Sequence, residues 1–160
     1  MGRYAKGVEG TRAVMKVVVQ RVSRAHVSID DIRVGSIGPG LCLFLGIGQG
    51  DNEDDVDFLV RKVSRLRIFS DESDKMTKSV MDIDGEVLVV SQFTLYGNCR
   101  NGCRPDFTKA APPSDAEPLY DYFLAEMEHA LGKEIASGQF RKMMDVSLVN
   151  DGPVTLVIES

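Results

Sequence analysis

A chain of 160 residues, 43% of them hydrophobic, is sized for one domain with a substantial core rather than for two. Its formal net charge of -5 argues against broad binding of duplex nucleic acid, which depends on neutralising many phosphates with Lys and Arg, yet it leaves room for local contact. No apolar run approaches the roughly 18 to 20 residues needed to cross a bilayer, and the N-terminus carries no signal-peptide core, so the chain reads as cytoplasmic.

Residues 1–14 place Gly2, Gly7 and Gly10 among charges without periodicity and read as a disordered N-terminal extension, with the folded domain spanning 15–160. Residues 16–23 and 26–29 read as strands, Asp30-Asp31 as a turn, 32–37 as a return strand and 40–47 as a buried strand. Cys42 lies inside that buried run and reads as an inert core thiol. After Asp51, the residues Val56, Leu59, Val60, Val63 and Leu66 form one apolar stripe behind an acidic first turn, the pattern of an amphipathic helix.

Residues 86–96 follow Asp84-Gly85 and open with Val87-Leu88-Val89-Val90, which predicts a buried central strand whose polar end, Ser91-Gln92-Phe93-Thr94, sits at the rim of a sheet. Backbone donors lose their ladder partners there, and a developing oxyanion is one group that could satisfy them. A long polar loop over 97–113 contains Cys99, Arg100, Cys103, Arg104 and Lys109. Ser114-Asp115-Ala116-Glu117 matches a capping box, predicting a helix from there to about Leu131, with Gly132 as its stop and Leu119, Phe123, Met127 and Ala130 as its buried face. Residues 143–149 and 154–159 read as two closing strands interrupted by Asn150-Asp151-Gly152-Pro153. The sum is an α+β single domain with a mixed, partly barrel-like sheet and two main helices.

Familiar catalytic sets are missing from this pattern. His26 and His129, the two histidines, have no Ser or Cys with an acidic partner in triad order, so a His-based hydrolase is not expected. Thr94 as a nucleophile would need an adjacent base, and none is identifiable. Asp51, Glu53, Asp54, Asp55 and Asp57 crowd one helix start, where they complement the dipole. Cys99 and Cys103 have no second Cys or His pair beside them to complete a zinc site, so no metal is expected and they read as free thiols. The basic groups Arg61, Lys62, Arg65, Arg67 and Arg100, Arg104, Lys109 read as solvated faces.

Two motifs taken together are more specific. Ser91-Gln92-Phe93-Thr94-Leu95 and Asn150-x-Gly152-Pro153-x-Thr155, in that order, resemble the D-aminoacyl-tRNA deacylase family, also called D-tyrosyl-tRNA deacylase. Residues 16–22, Lys-Val-Val-Val-Gln-Arg-Val, and Lys109-Ala110-Ala111-Pro112-Pro113 extend the likeness, which runs from Met15 to Ser160. The resemblance implies hydrolysis of the ester of D-aminoacyl-tRNA, with glycyl-tRNA as a further candidate, by a homodimer with sites at the subunit interface and no metal. It implies that Ser91, Gln92, Phe93 and Thr94 line the catalytic site with their amides near the scissile carbonyl, and that Gly152-Pro153 is a cis dipeptide facing the partner's site and rejecting L substrates. Arg21 would brace that dipeptide, Phe140 and Met144 would border the amino-acid pocket, Ala111 the terminal adenine, and Asn150 and Thr155 the substrate side of the loop. Arg141-Lys142 stands where many relatives have Gly-Ala, and the 97–103 loop is cysteine-richer than the family pattern. The alternatives are a module like the editing domain of archaeal threonyl-tRNA synthetases, acting on a mischarged L-amino acid, and a tRNA-binding protein without turnover.

Overall fold

The computed structural model describes residues 14–160. The extension read for residues 1–14 lies, except for Val14, outside the described residues. Eight strands, β1 (Lys16–Ile29), β2 (Ile32–Ile37), β3 (Gly40–Gly46), β4 (Phe69–Ser70), β5 (Met76–Lys78), β6 (Glu86–Ser91), β7 (Ala136–Ser137) and β8 (Asp145–Glu159), accompany two helices, α1 (Glu53–Arg65) and α2 (Pro113–Leu131).

The two short strands expected at the start are one continuous β1, and a β-bulge at Ser23, between Val22 and Arg24, lets it bend without breaking. Along one edge of β1 runs β8; along the other lie β3, paired with residues 16–22, and β2, paired with 25–29. Ala25 faces Ile37 and Val22 faces Gly40, so β2 and β3 are a single return strand with a corner at Gly38-Pro39. The turn at Asp30-Asp31 takes φ of 50° and 65°, both left-handed, as a tight two-residue hairpin requires. Parallel pairing of β3 with β6 and of β6 with β7 completes a mixed six-stranded sheet. The sheet curls towards a barrel: a Cβ on Gly35 of β2 would stand 3.0 Å from the Ser137 carbonyl oxygen of β7.

Alternation along β3 and β6 divides the core. Leu41, Leu43, Leu45, Val87 and Val89 face the helices and meet Leu59 and Val63 of α1 and Tyr120, Phe123 and Met127 of α2. Cys42, Leu88 and Val90 point to the other face, where Val22, Ala25, Val27 and Ile37 close over them. Burial pushes the Cys42 thiol up to about 12, so it stays protonated and unreactive.

Helix α1 begins at Asn52, whose side chain accepts from the Asp54 amide while Asp55 reaches back to the Asn52 amide. Helix α2 departs from expectation. Pro112 is its N-cap and Pro113 occupies the first turn, so the helix starts on fixed proline dihedrals and Ser114 makes no capping bond. Its buried stripe is Ala116, Tyr120, Phe123 and Met127, with Ala130 exposed and Leu119 half-buried. Gly132 stops it with a left-handed φ of 69°. The two strands expected at the end are one β8 that carries the Asn-Asp-Gly-Pro segment as an outward loop.

The hairpin of β4 and β5 and the turn that follows it are fastened by carboxylates. Asp71 accepts from the amides of Lys75 and Ser73 and from Thr77 Oγ1, and Asp82 accepts from the amide of Ser79. The Lys75 bond is the main cause that holds Asp71 below its ordinary value, and the Ser79 amide bond does the same for Asp82. Groups depressed in the folded state stabilise it above the unfolded carboxylate range, about pH 4, and lose that contribution as pH falls through the depressed values. The melting temperature is therefore expected to be flat from pH 7 to about pH 5 and to fall below about pH 4. A double Asp71→Ala/Asp82→Ala protein should show a shallower acid limb in the same melts.

Candidate active site

Strands β3 and β6 stop together, with Leu45 opposite Ser91. The Gln92 amide makes one last bond, to the Leu45 carbonyl at 2.8 Å, and the chain then turns off the sheet into a short 3-10 helix, Phe93–Tyr96. The expected strand over 86–96 thus ends at Ser91, and Phe93 and Thr94 lie beyond it. A helix start leaves its first amides without intrahelical carbonyls, and here those are the amides of Phe93 and Thr94. Both side chains are exposed, Phe93 by 56%. Gln92 donates from Nε2 to Thr94 Oγ1.

Gly46 lets the turn sit close. A Cβ there would lie 3.0 Å from Tyr96 Cε2 and 3.2 Å from the Gln92 carbonyl oxygen, so a side chain at this position would push the 3-10 helix off the end of β3 by a few tenths of an ångström. Tyr96 anchors it from below, its hydroxyl set between the carbonyls of Gly46, at 3.0 Å, and Val14. Burial, followed by the charge of Asp51, raises the Tyr96 phenol well above its ordinary value, so it remains a neutral donor. Gly46→Ala is expected to push the 93–96 turn off the sheet end and lower turnover about tenfold or more, since sub-ångström placement controls such sites. Unchanged kinetics in that variant would show that the turn is not positioned this way.

The 97–113 loop folds back over the same end. The Ala111 amide donates to the Ile47 carbonyl at 2.9 Å and the Gln49 amide to that of Lys109 at 3.0 Å, which holds Ala111 beside the exit of β3. Phe107 meets Phe93 edge-on at 5.2 Å between ring centres. Asn98 and Asp106 pair across the loop's neck, leaving Cys99 and Cys103 as exposed free thiols at its tip. Phe107 was not singled out by sequence; a lone aromatic inside a polar loop was the available signal.

Phe140 packs at 5.7 Å against Tyr120, and the Gly138 amide donates to the Val89 carbonyl at 3.0 Å, two residues before Ser91. Met144 lies over Gly138, where a Cβ would come within 2.5 Å of its Sδ. Burial pushes the Tyr120 phenol up to about 12. Ser91–Thr94, Ala111 and Phe140 therefore gather around the C-terminal ends of β3 and β6, whereas Met144 packs with the cluster of Val22, Val27 and Cys42 on the face of the sheet away from the helices.

The second motif lies elsewhere. Gln20 faces Thr155 and Val22 faces Asn150, so Arg21 alone spans four residues of β8 and the 151–154 segment bows outward. Asn150 closes the bow, accepting from the Val154 amide through Oδ1 and donating to Thr155 Oγ1, both at 2.9 Å. Gln20 Nε2 donates to the same Thr155 hydroxyl at 3.1 Å. Arg21 donates from Nε to the Asp151 carbonyl at 3.1 Å and from Nη1 to the Ile68 carbonyl at 2.6 Å, with the Asp151 carboxylate at 3.4 Å. The Gly152-Pro153 peptide is cis and Gly152 has a φ of 131°, where a Cβ would stand 2.9 Å from Val154 and 3.0 Å from Arg21. Asp151, Gly152 and Pro153 are all exposed.

Register separates the two motifs within one chain. Thr155 opposes Gln20, whereas Ser91 opposes Leu45 and Leu45 opposes Val17. Three strand spacings and three residues of offset put them about 17 Å apart along the sheet. His26 is remote from Ser91: nine residues along β1 from Val17 is about 30 Å. His129 sits exposed in the last turn of α2.

Residues 18–159 match the family model described as D-Tyr-tRNA(Tyr) deacylase. A relative named D-aminoacyl-tRNA deacylase in Thermotoga petrophila is 54% identical over 146 residues, covering 91% of this chain and 97% of that protein. One of the same name in Heliobacterium modesticaldum is 52% identical over 145 residues, covering 91% and 96%. Among solved structures, one titled c-Myc DNA Unwinding Element Binding Protein is 43% identical with a TM-score of 0.85, covering 91% of this chain and 98% of that one. A probable eukaryotic D-amino acid tRNA deacylase, at 16% identity and a TM-score of 0.83 over 92% of this chain and all of the other, shares the fold. With a fitted model over nearly the whole described chain and relatives above 50% identity, the chain belongs to the D-Tyr-tRNA(Tyr) deacylase family.

Proposed function

We propose that the chain hydrolyses the ester bond of D-aminoacyl-tRNA, releasing free D-amino acid and tRNA as a proofreading step in the cytoplasm. The observation that carries this reading is the sheet end at Ser91, where the amides of Phe93 and Thr94 open a helix start beside exposed side chains. Water adds to the ester carbonyl, the oxyanion takes those amides, and collapse breaks the acyl C–O bond while the ribose oxygen receives the proton. An aminoacyl ester is already activated and its ribose carries a neighbouring hydroxyl, so placement and oxyanion donors suffice and no cofactor is required. Ser91 and Gln92 shape the site, Ala111 borders the terminal adenine, and Phe140 and Met144 border the amino-acid pocket.

Thr94 Oγ1 does not act as a covalent nucleophile in this mechanism, because its partner is the Gln92 carboxamide, a donor without basicity. Thr94→Ala should cost no more than about tenfold in kcat, the scale of one neutral hydrogen bond. Trapping an acyl group on Thr94 would contradict it.

The working form in this reading is a homodimer. Among the described residues strand β8 pairs with β1 alone and exposes Val149, Leu156 and Val157, a long edge of the kind that a second copy covers. The Asn150–Thr155 loop, too far from Ser91 in its own chain, then serves the partner's site. Its braced backbone fills the space of an L side chain, so several D-amino acids, and glycine, are accepted. Release of amino acid from D- and L-tyrosyl-tRNA tests the function: the D ester should be cleaved and the L ester spared. Equal rates would favour an L-editing module, and no release from either would leave a binding protein.

A further inference from the structure

The C-terminal half of α1 presents a cationic surface for which the proposed hydrolysis has no use. Arg61, Lys62 and Arg65 are exposed there, and with Leu66 and Arg67 they line a concavity of about 340 Å³. Lysine and arginine at a helix C-terminus complement its dipole, which explains one or two such residues. It does not explain their posture. The Arg61 guanidinium lies 5.7 Å and the Lys62 ammonium 5.6 Å from the centre of the Phe58 ring, so one aromatic holds two cations in place on the rim. Among the described residues neither of them, nor Arg65, is in an ion pair, although the chain as a whole carries a charge of -5. Arg67 is fixed by donating from Nε to the Thr77 carbonyl at 3.0 Å.

The concavity is tied to the site by one residue. Arg67 is followed by Ile68, whose carbonyl takes Arg21 Nη1, and the same guanidinium holds Asp151 next to Gly152. Through Arg67 the concavity is thus one residue from the brace of the loop that the proposed mechanism places over the substrate's 3′ end. A charged tRNA bound there continues past the loop as an acceptor stem, a polyanion.

We propose that Arg61, Lys62 and Arg65 form a phosphate-docking surface for the acceptor arm of tRNA. The inference rests on the deacylase reading for its choice of partner. Docking of this kind supplies affinity and salt dependence without base specificity, so one cluster serves many tRNAs.

The test compares the native chain with an Arg61→Gln/Lys62→Gln/Arg65→Gln protein, whose substitutions are all at exposed positions and whose fold is checked by its melting curve. Fluorescence anisotropy with labelled uncharged tRNA should show a Kd raised about tenfold or more, and a salt slope reduced by roughly one for each lost phosphate contact. The KM for D-tyrosyl-tRNA should rise by a similar factor at unchanged kcat, while hydrolysis of D-tyrosyl-adenosine, which lacks the arm, should not change. An Arg61→Lys/Arg65→Lys protein, which keeps the charge, should bind as the native chain does. Unchanged anisotropy and slope would overturn the proposal, as would an equal loss on D-tyrosyl-adenosine. Native protein that binds tRNA through these residues yet hydrolyses neither ester would refute the deacylase reading and leave the docking surface standing.

Discussion

Arg21→Ala should reduce turnover of D-tyrosyl-tRNA by about a hundredfold, the scale on which ångström misplacement acts in a site that works by positioning. A single guanidinium ties three points: the Asp151 carbonyl, the Asp151 carboxylate and the Ile68 carbonyl. Its side chain is only 12% exposed, so truncation opens a gap and strips partners from half-covered carbonyls. Nothing else on β1 can take over, because Arg21 is the one residue that spans the bowed 151–154 segment. Loss of stability should be modest, about 1 to 3 kcal/mol, since the loop itself is exposed. Arg21→Lys should recover little, because an ammonium cannot form the planar fork that reaches two carbonyls. The discriminating measurement is kcat and KM together with the melting temperature at each substitution. A variant that loses stability and keeps turnover would show that the loop does not need this brace.

Gly40→Ala should have the largest effect on stability. Gly40 opens β3 opposite Glu86, and a Cβ there would lie 1.8 Å from the Glu86 carbonyl oxygen and 2.7 Å from its carbonyl carbon and nitrogen. These are backbone atoms of the central parallel pair, so relief requires the β3–β6 seam to open at its first rung. A cost of about 3 to 5 kcal/mol follows, a fall in melting temperature of about 10 to 15 °C for a chain of this length. Gly38→Ala in the same corner is the control. Its Cβ would meet nothing closer than 3.4 Å, a distance of ordinary contact, and its melting curve should barely move.

Sequence carried the fold where local chemistry and burial agree. Val56, Leu59, Val60 and Val63 showed one helical face because that face is the core, and Val87-Leu88-Val89-Val90 ran apolar because β6 is covered on both sides. It misled where tertiary context outweighed a local signal. Ser114 carried a capping pattern, but Pro112-Pro113 had already set the dihedrals of the first turn. Asn150-Asp151-Gly152-Pro153 broke the pattern of a strand without ending it, because Asn150 and Arg21 hold the bow within the β1–β8 pairing. Strand β7 is two residues long, too short to have any period.

Of the candidate site, Ser91, Gln92, Phe93 and Thr94 were legible as a motif and as the polar end of an apolar strand. The roles of Gly46, Phe107 and Ile68 were not. Gly46 matters through what a side chain would strike and Ile68 through a carbonyl, and neither leaves a signature in residue type. The distance between the two motifs depends on strand order, which residue patterns do not encode.

That distance supplies the most direct test of the claim that one site is built from two copies. A Gly46→Ala/Phe93→Ala chain damages the sheet end and spares the loop, and an Arg21→Ala chain does the reverse. Each alone should form a poorly active homodimer. After dissociation and remixing in equal amounts, random pairing makes half of the dimers mixed, and each mixed dimer holds one intact site if the motifs act across the interface. Activity on D-tyrosyl-tRNA should then recover to about a quarter of that of the native protein. If both motifs served the same chain's site, the mixture would be no more active than its two components, and that result would contradict the account.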